Sequence, residues 1–137
     1  MPTIPDSNVV LDIIFLRREW MNWSMRWFDQ SSKQGPMVMN TVIFAESTSR
    51  FHDLPAALGL LKDFGLVHED MTLESAYLAG RAHQRYLKSG GARERVLPDF
   101  LIGAHAASRG YSILTRDASR YRTYFPQLNI IAPDTHP

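Results

Sequence analysis

The stretch PDFLIGAHAASRGYSILTRD, residues 98–117, is the most informative part of this 137-residue chain for its fold. Pro98 suits the first turn of a helix and Gly110 suits its end. The residues 111–115 that follow, YSILT, are a short apolar run that predicts a buried strand. The stretch is therefore a helix followed by a strand, with Asp99 at the start of the helix and Asp117 just after the strand.

Helices and strands alternate along the rest of the chain. Strands are predicted over residues 2–5, 38–43, 111–115 and 128–132. Helices are predicted over residues 7–14, 16–31, 44–51, 54–64 and 72–88, and from Pro98 to Gly110. This alternation predicts an α/β protein with a parallel sheet covered by helices on both faces. The length fits a single domain spanning residues 1–137.

The composition limits the classes of protein to consider. With 45% hydrophobic and 21% charged residues, the chain is typical of a globular domain. Cysteine is absent, which excludes disulfides and thiolate metal sites and fits a reducing compartment such as the cytoplasm. The sequence contains neither an apolar run of about 18 residues nor a basic N-terminus before an apolar run, so we expect no membrane span and no secretory signal. The net charge of +1 does not decide whether the ligand is a nucleic acid.

Acidic residues mark the points where a strand or loop gives way to a helix: Asp6, Glu46, Asp99 and Asp117. In a parallel α/β sheet, ligands bind outside the carboxyl ends of the strands, so we expect these side chains to converge there. Carboxylates repel one another unless a cation lies between them, and hard oxygen ligands select Mg²⁺ or Mn²⁺.

We assign a separate role to each of these residues. Asp6 and Asp99 are expected to be the principal metal ligands, with Glu46 as a second ligand or the residue that positions a water molecule. Asp117 would complete the site or hold a second ion. Neighbouring polar groups orient metal-binding carboxylates in many proteins, and we expect Asn8 and Thr115 to do so here.

Each acidic residue also has a purely structural interpretation. Asp99 could favour the helix dipole, Asp6 could cap a helix and Asp117 could belong to a turn. Glu46 is harder to explain in this way, because it follows the apolar run VIFA, where a carboxylate is costly unless it is paired or bound to metal. The ordered set is stronger evidence for a site than any one of its members.

With these motifs in place, the chain resembles a PIN-domain protein of the VapC type, the toxin of bacterial toxin–antitoxin pairs. The matching segments are PDSNVVLDII at the start, VIFAES in the middle and residues 98–117 near the end. The resemblance spans essentially the whole chain. It implies a three-layer α/β/α sandwich with a central mostly parallel sheet, a Mg²⁺ or Mn²⁺ site and endoribonuclease activity on RNA. It also implies a cognate antitoxin, and the matching acidic positions are Asp6, Glu46, Asp99 and Asp117.

The first strand departs from that family pattern. The family usually has an apolar run there, whereas this chain has only Thr3 and Ile4 between Pro2 and Pro5. Proline cannot donate a hydrogen bond and is disfavoured in a central strand. The first strand is therefore expected to be short or distorted, which affects the position of Asp6.

Aromatic and basic residues suggest interaction surfaces. Trp20, Trp23 and Trp27 recur on the helix predicted over residues 16–31, and we expect that helix to contribute to a homodimer or antitoxin interface. Basic residues close to the acidic positions are expected to contact RNA phosphates: Arg93, Arg95 and Arg116, with Arg120 and Arg122 nearby. The residues Arg81, Arg85 and Lys88 suit a solvated helix face. The five histidines show no ligand-like spacing and are expected to be non-catalytic.

Two other functions compete with a ribonuclease. A haloacid-dehalogenase type of phosphotransferase also places an Asp after its first strand, but needs a second carboxylate two residues later, where this chain has Asn8. A non-catalytic PIN-like binding module would keep the fold without the chemistry. The presence of all four acidic residues disfavours that alternative.

Overall fold

The chain folds around a five-stranded parallel sheet with helices on its faces. The computed structural model describes residues 1–92 and 96–137. In these residues the elements, in chain order, are β1 (Thr3–Pro5), α1 (Ser7–Ile14), α2 (Met21–Gln34), β2 (Met37–Met39), α3 (Thr41–Thr48), α4 (Leu54–Phe64), β3 (Leu66–His68), α5 (Leu73–Lys88), α6 (Leu97–Arg109), β4 (Ser112–Leu114), α7 (Ser119–Tyr124) and β5 (Ile130–Ile131). The strand order is β3-β2-β1-β4-β5, and every pairing is parallel. The predicted α/β architecture is therefore confirmed.

The short β1 strand lies at the centre of the sheet despite its prolines. It pairs with β4 at three residues but with β2 only at Thr3. Because Pro5 has no amide proton, it cannot donate a hydrogen bond to a neighbouring strand. The amide of Asp6 donates to the carbonyl of Leu114 at 2.8 Å, which holds the residue after β1 in register with β4. The first strand is short, as expected, and its end is nevertheless well placed.

The predicted boundary between the second strand and the next helix is wrong. Residues 41–43 belong to the strand predicted over 38–43, but they form the first turn of α3, although all three are β-branched. The side chain of Asn40 accepts a hydrogen bond from the amide of Ile43 at 3.0 Å and caps the helix. This cap overrides the strand preference of the residues that follow it.

Other predictions differ in detail. The helices over 7–14 and 54–64 match α1 and α4, whereas α2 begins at Met21 and not at residue 16. The edge strand β3 and the short helix α7 were not predicted. Both are too short to show a clear hydrophobic period.

Trp23 and Trp27 of α2, and Trp20 just before it, contact other parts of the chain. Trp23 is 9% exposed, and its indole nitrogen donates to the carbonyl of His136 at 2.7 Å. Trp27 contacts the ring of His136, and Arg116 lies over the ring of Trp20. Trp23 is therefore part of the core, and the role of α2 in a homodimer or antitoxin interface stays a prediction.

The strand order identifies the edge where a ligand is expected. From β1 the chain first builds outward through β2 and β3, and later adds β4 and β5 on the other side. The carboxyl ends of β1 and β4 therefore form the point at which the strand order reverses, where α/β sheets bind their ligands. Within residues 1–92 and 96–137, no helix is both long and apolar enough to cross a membrane.

Candidate metal centre

The four predicted acidic residues line one cavity of about 230 Å³ at this edge of the sheet. They reach it from separate elements: Asp6 directly after β1, Glu46 on α3, Asp99 in the first turn of α6 and Asp117 after β4. The rest of its lining is Ser7, Asn8, Leu11 and Arg17. The structure thus brings together all four carboxylates that the sequence singled out.

Asp6 is the most buried of these carboxylates, with 6% of the residue exposed. One carboxylate oxygen accepts a hydrogen bond from the amide of Ser7 at 2.7 Å, so Asp6 caps α1. The other oxygen accepts from the hydroxyls of Thr115 and Tyr121, each at 2.9 Å. Burial, and then the nearby charge of Asp99, raise the pKa of Asp6 to about 7.

Asp99 is held by an arginine. Arg120 donates to its carboxylate at 2.7 Å, and the guanidinium of Arg120 also lies over the ring of Tyr86. Burial raises the pKa of Asp99; Arg120 opposes this effect, while the charges of Glu46 and Asp117 add to it. The acidic residues therefore act on one another electrostatically, as expected for carboxylates around a shared site.

Glu46 and Asp117 lie at the solvent-exposed side of the site. The hydroxyl of Ser7 donates to Glu46 at 2.6 Å. The expectation that Glu46 lies in an apolar setting is wrong: residues 41–48 are helical, and that helix directs Glu46 outward. The amide of Asp117 donates to Thr115 Oγ1 at 3.1 Å, which links the loop after β4 to the group that also holds Asp6.

Asn8 and Thr115 lie beside the carboxylates. Thr115 is fully buried and donates to Asp6. The amide nitrogen of Asn8 is 3.3 Å from Thr115 Oγ1 and 3.4 Å from the second oxygen of Asp6. Both residues are thus in position for the orienting role expected of them.

Arg116 is engaged with another residue. Its guanidinium donates twice to the carboxylate of Asp12, at 2.8 and 3.2 Å, and Asp12 is completely buried. This pairing competes with the predicted contact between Arg116 and RNA. Arg93 and Arg95, the other predicted RNA contacts, lie outside the described residues.

Sequence reasoning missed several polar groups of the site. One is Tyr121, whose hydroxyl donates to Asp6. Gly103 makes this possible, because a Cβ there would lie 3.0 Å from the Tyr121 ring and 2.6 Å from Phe125. Nothing in the sequence indicates this long-range contact. Asp12, in contrast, interrupts the apolar run VVLDII, and that interruption was a usable signal of a buried pair.

His105 belongs to a separate hydrogen-bond network. It is buried, and its ring nitrogens contact Asn40 Nδ2 at 3.0 Å and Glu69 at 2.7 Å. Glu69 also accepts from the hydroxyl of Tyr111 at 2.7 Å. This network ties α6 to the residues that follow β2 and β3, and it uses none of the four acidic residues.

The chemistry of the acidic cavity fits a hard divalent cation. Its ligands would be carboxylate oxygens, the groups that Mg²⁺ and Mn²⁺ prefer, and the raised pKa of Asp6 shows the electrostatic cost of ionising this group without a cation. In the arrangement seen across the described residues, no three carboxylate or imidazole groups are close enough to ligate one ion. Each of the four acids accepts a hydrogen bond from a protein group instead: Asp6 from Ser7, Thr115 and Tyr121, Glu46 from Ser7, Asp99 from Arg120 and Asp117 from Ser119.

Comparisons with known proteins give matches among solved structures alone: neither the protein-family models nor the curated proteins contain a match. A chain of VapBC2 from Rickettsia felis, bound to a DNA fragment from their promoter, has a TM-score of 0.71 and 15% identity, with 96% of this chain and 98% of that chain covered. A chain of DNA-bound VapBC from Salmonella typhimurium has a TM-score of 0.69 and 18% identity, again with 96% of this chain and 98% of that chain covered. A chain of FitAcB from Neisseria gonorrhoeae has a TM-score of 0.67 and 16% identity, with 98% of this chain and 99% of that chain covered.

These identities are low, but the coverage is nearly complete in both directions. The similarity therefore concerns the whole architecture and not a local motif. It shows that the chain shares its α/β fold with solved chains of the VapBC and FitAB complexes, in agreement with the fold class that the sequence motifs indicated.

Proposed function

We propose that this protein is a Mg²⁺- or Mn²⁺-dependent endoribonuclease that hydrolyses RNA phosphodiester bonds. The observation that carries the proposal is the convergence of Asp6, Glu46, Asp99 and Asp117 on one cavity at the reversal point of the sheet. A cluster of carboxylates in which burial and like charge raise the pKa of Asp6 to about 7 is costly unless a cation or a proton compensates.

Asp6 and Asp99 would be the principal ligands of the ion, with Glu46 as a second ligand or the residue that positions a water molecule. Asp117 would complete the site or hold a second ion. A bound divalent cation would lower the pKa of a water molecule and neutralise charge on a phosphodiester. The protein's own groups prepare the site for it. The amide of Ser7 and the hydroxyls of Thr115 and Tyr121 hold Asp6 in one orientation. The hydroxyl of Ser7 holds Glu46 at the mouth of the cavity, where a water molecule could be positioned.

Arg120 balances the charge of the site. Its ion pair with Asp99 offsets one negative charge while no cation is bound. Because 36% of the Arg120 side chain is exposed, it can leave Asp99 for solvent or for a phosphate without crossing the core. This exchange would free Asp99 to become a metal ligand.

The biological setting that we propose is a toxin–antitoxin pair of the VapBC type. The similarity in fold to VapBC and FitAB complexes supports this setting, because the similarity covers nearly the whole chain. In that setting the protein has a cognate antitoxin as its partner, forms a homodimer and acts on RNA in the cytoplasm.

The direct test is an RNA cleavage assay with antitoxin-free protein. Total RNA is incubated with the protein and Mg²⁺ or Mn²⁺, with parallel samples that contain EDTA. Asp99→Asn removes one proposed ligand, and Glu74→Gln, on the exposed first turn of α5, is the matched control. We expect discrete fragments that disappear with EDTA and with Asp99→Asn but persist with Glu74→Gln.

A non-catalytic binding module is the second candidate. It is favoured by the ion pair between Asp99 and Arg120, together with the absence of a ready ligand cluster among the described residues. If folded protein leaves every RNA intact at saturating Mn²⁺, the ribonuclease proposal is wrong and the binding module takes its place.

A further inference from the structure

A second cavity adjoins the acidic one and extends it. It has a volume of about 90 Å³ and shares three lining residues with the acidic cavity: Leu11, Arg17 and Glu46. Its other lining residues are Phe15, Ser47, Ser49 and Arg50. The two cavities are therefore parts of one groove. We call the second cavity, which lies beyond Glu46, the Arg17–Arg50 groove. Its lining is basic, whereas the lining of the first cavity is acidic.

Arg17 is turned toward this groove by the chain after α1. Leu16 has a φ of 50°, a left-handed conformation that costs a non-glycine residue roughly 1 kcal/mol or more. The amide of Arg17 then donates to the carbonyl of Asp12 at 3.0 Å. The side chain of Arg17 remains 41% exposed.

The guanidinium of Arg17 makes a long ion pair with Asp12 but no hydrogen bond among the described residues. Its nearest carboxylate oxygen, on Asp12, lies 3.9 Å away, which is beyond hydrogen-bond distance. Asp12 already accepts hydrogen bonds from Ser24 and Arg116. Within the described part of the chain, no side chain accepts a hydrogen bond from the Arg17 guanidinium.

Arg50 lies at the other end of the groove. Its guanidinium is 5.2 Å from the centre of the Phe15 ring, a contact that orients it without using its N–H groups. The described residues provide no carboxylate within 4.0 Å of Arg50. Arg116, Arg120 and Arg122, in contrast, are each paired with an aspartate.

Ser47 gives an independent indication of a ligand. It lines the same groove and is 2% exposed, and its hydroxyl has no hydrogen-bond partner among the described residues. A buried hydroxyl without a partner carries a desolvation cost that a bound acceptor would remove. The groove thus offers several donors without acceptors: two guanidinium groups and a serine hydroxyl.

We propose that Arg17 and Arg50, with Ser47, form a binding subsite for a phosphate of a single-stranded RNA, next to the phosphodiester held at the acidic residues. This proposal rests on the proposed ribonuclease function. Arginine suits this ligand, because its planar N–H groups match two phosphate oxygens. The subsite takes the role that the sequence suggested for Arg116, whose guanidinium is paired with Asp12.

The test measures RNA binding separately from RNA cleavage. Fluorescence anisotropy with a labelled single-stranded RNA is recorded with Mg²⁺ in an Asp99→Asn background, which suppresses cleavage. The variants are Arg17→Gln, Arg50→Gln and the charge-retaining Arg17→Lys. Arg18→Gln is the matched control, because Arg18 is an adjacent exposed arginine that lines neither cavity. Thermal unfolding checks that each variant is folded.

We expect Arg17→Gln and Arg50→Gln each to weaken binding by about tenfold, since each removes a charged hydrogen bond to phosphate. The slope of log affinity against log salt should fall by about 0.7 for each arginine. Arg17→Lys should weaken RNA binding less than Arg17→Gln does, because it keeps the charge. Arg18→Gln should leave the RNA affinity unchanged. In cleavage assays on the wild-type background, KM should rise more than kcat falls.

The outcomes distinguish this proposal from the ribonuclease function itself. If the wild-type protein cleaves RNA while folded Arg17→Gln and Arg50→Gln bind RNA as tightly as Arg18→Gln, the subsite is refuted and the ribonuclease stands. If Arg18→Gln weakens binding as much as the other two, the effect is general charge and the subsite is refuted. If the wild-type protein neither binds nor cleaves RNA, both proposals are wrong.

Discussion

Replacing Asp6 with Asn should make the metal-free protein less sensitive to pH. The replacement keeps the shape of the side chain, and its amide oxygen can still accept from the amide of Ser7. The hydroxyls of Thr115 and Tyr121 can rotate to accept from the new amide group. The main change is therefore the loss of a buried ionisable group.

The size of the effect follows from the pKa of Asp6. Its rise from 3.8 to about 7 is roughly three pH units, or about 4 kcal/mol between the two protonation states. Because the folded pKa is the higher one, Asp6 favours the folded state fully below pH 3.8, and this contribution is lost as pH rises to about 7. Between pH 5 and pH 8, the free energy of unfolding of the wild type should therefore fall by roughly 2–3 kcal/mol relative to that of Asp6→Asn.

Urea unfolding in EDTA at pH 5 and pH 8 measures this difference. The matched control is Asp53→Asn, because Asp53 also caps a helix but is exposed. The unfolding free energy of this variant should change with pH as that of the wild type does. Adding Mn²⁺ at pH 8 should stabilise the wild type more than Asp6→Asn. If the free-energy difference between wild type and Asp6→Asn is the same at both pH values, the assigned electrostatics of Asp6 are wrong.

Three further substitutions test the surroundings of the site. Gly103→Ala should destabilise the protein in urea unfolding, because its Cβ would press on Phe125 and then on Tyr121. Gly80→Ala, on open helix surface, should instead stabilise the protein by about 0.5–1 kcal/mol, and equal effects of the two substitutions would contradict the close packing at Gly103. Asp12→Ala should cost about 3 kcal/mol in the same assay, since it leaves a partly buried arginine unpaired, and a loss below about 1 kcal/mol would show that this pair is not structural. Tyr121→Phe removes a donor that favours ionised Asp6, so carboxyl NMR titration of metal-free protein should show a higher pKa for Asp6, and an unchanged or lower pKa would refute that role.

The sequence predicts the architecture well because local and global signals agree. The helix that begins near Pro98 and ends at Gly110 matches α6, and the four acidic residues reach one cavity as expected of the carboxyl ends of parallel strands. Prediction fails where a local contact overrides a general preference. The cap formed by Asn40 makes a helix of residues that favour a strand.

The parts of the site that could not be predicted from the sequence depend on contacts between distant segments. Tyr121 and Asp6 are 115 residues apart, and Arg120 and Asp99 are 21 apart, so periodicity and spacing cannot reveal either pair. Arg17 follows Leu16, which has a left-handed conformation although it is not a glycine. The turn that directs Arg17 to the groove could therefore not be predicted from the sequence either. The sequence therefore identified the charged groups of the site better than the groups that orient them.

Mn²⁺ binding to the metal-free protein, measured by titration calorimetry at pH 8, tests the central claim most directly. That claim is that the acidic cavity is a divalent-cation site. We expect saturable binding by the wild type, retained with Glu74→Gln and strongly weakened by Asp6→Asn and Asp99→Asn. No measurable binding by folded wild-type protein, or equal binding by all four proteins, would contradict it.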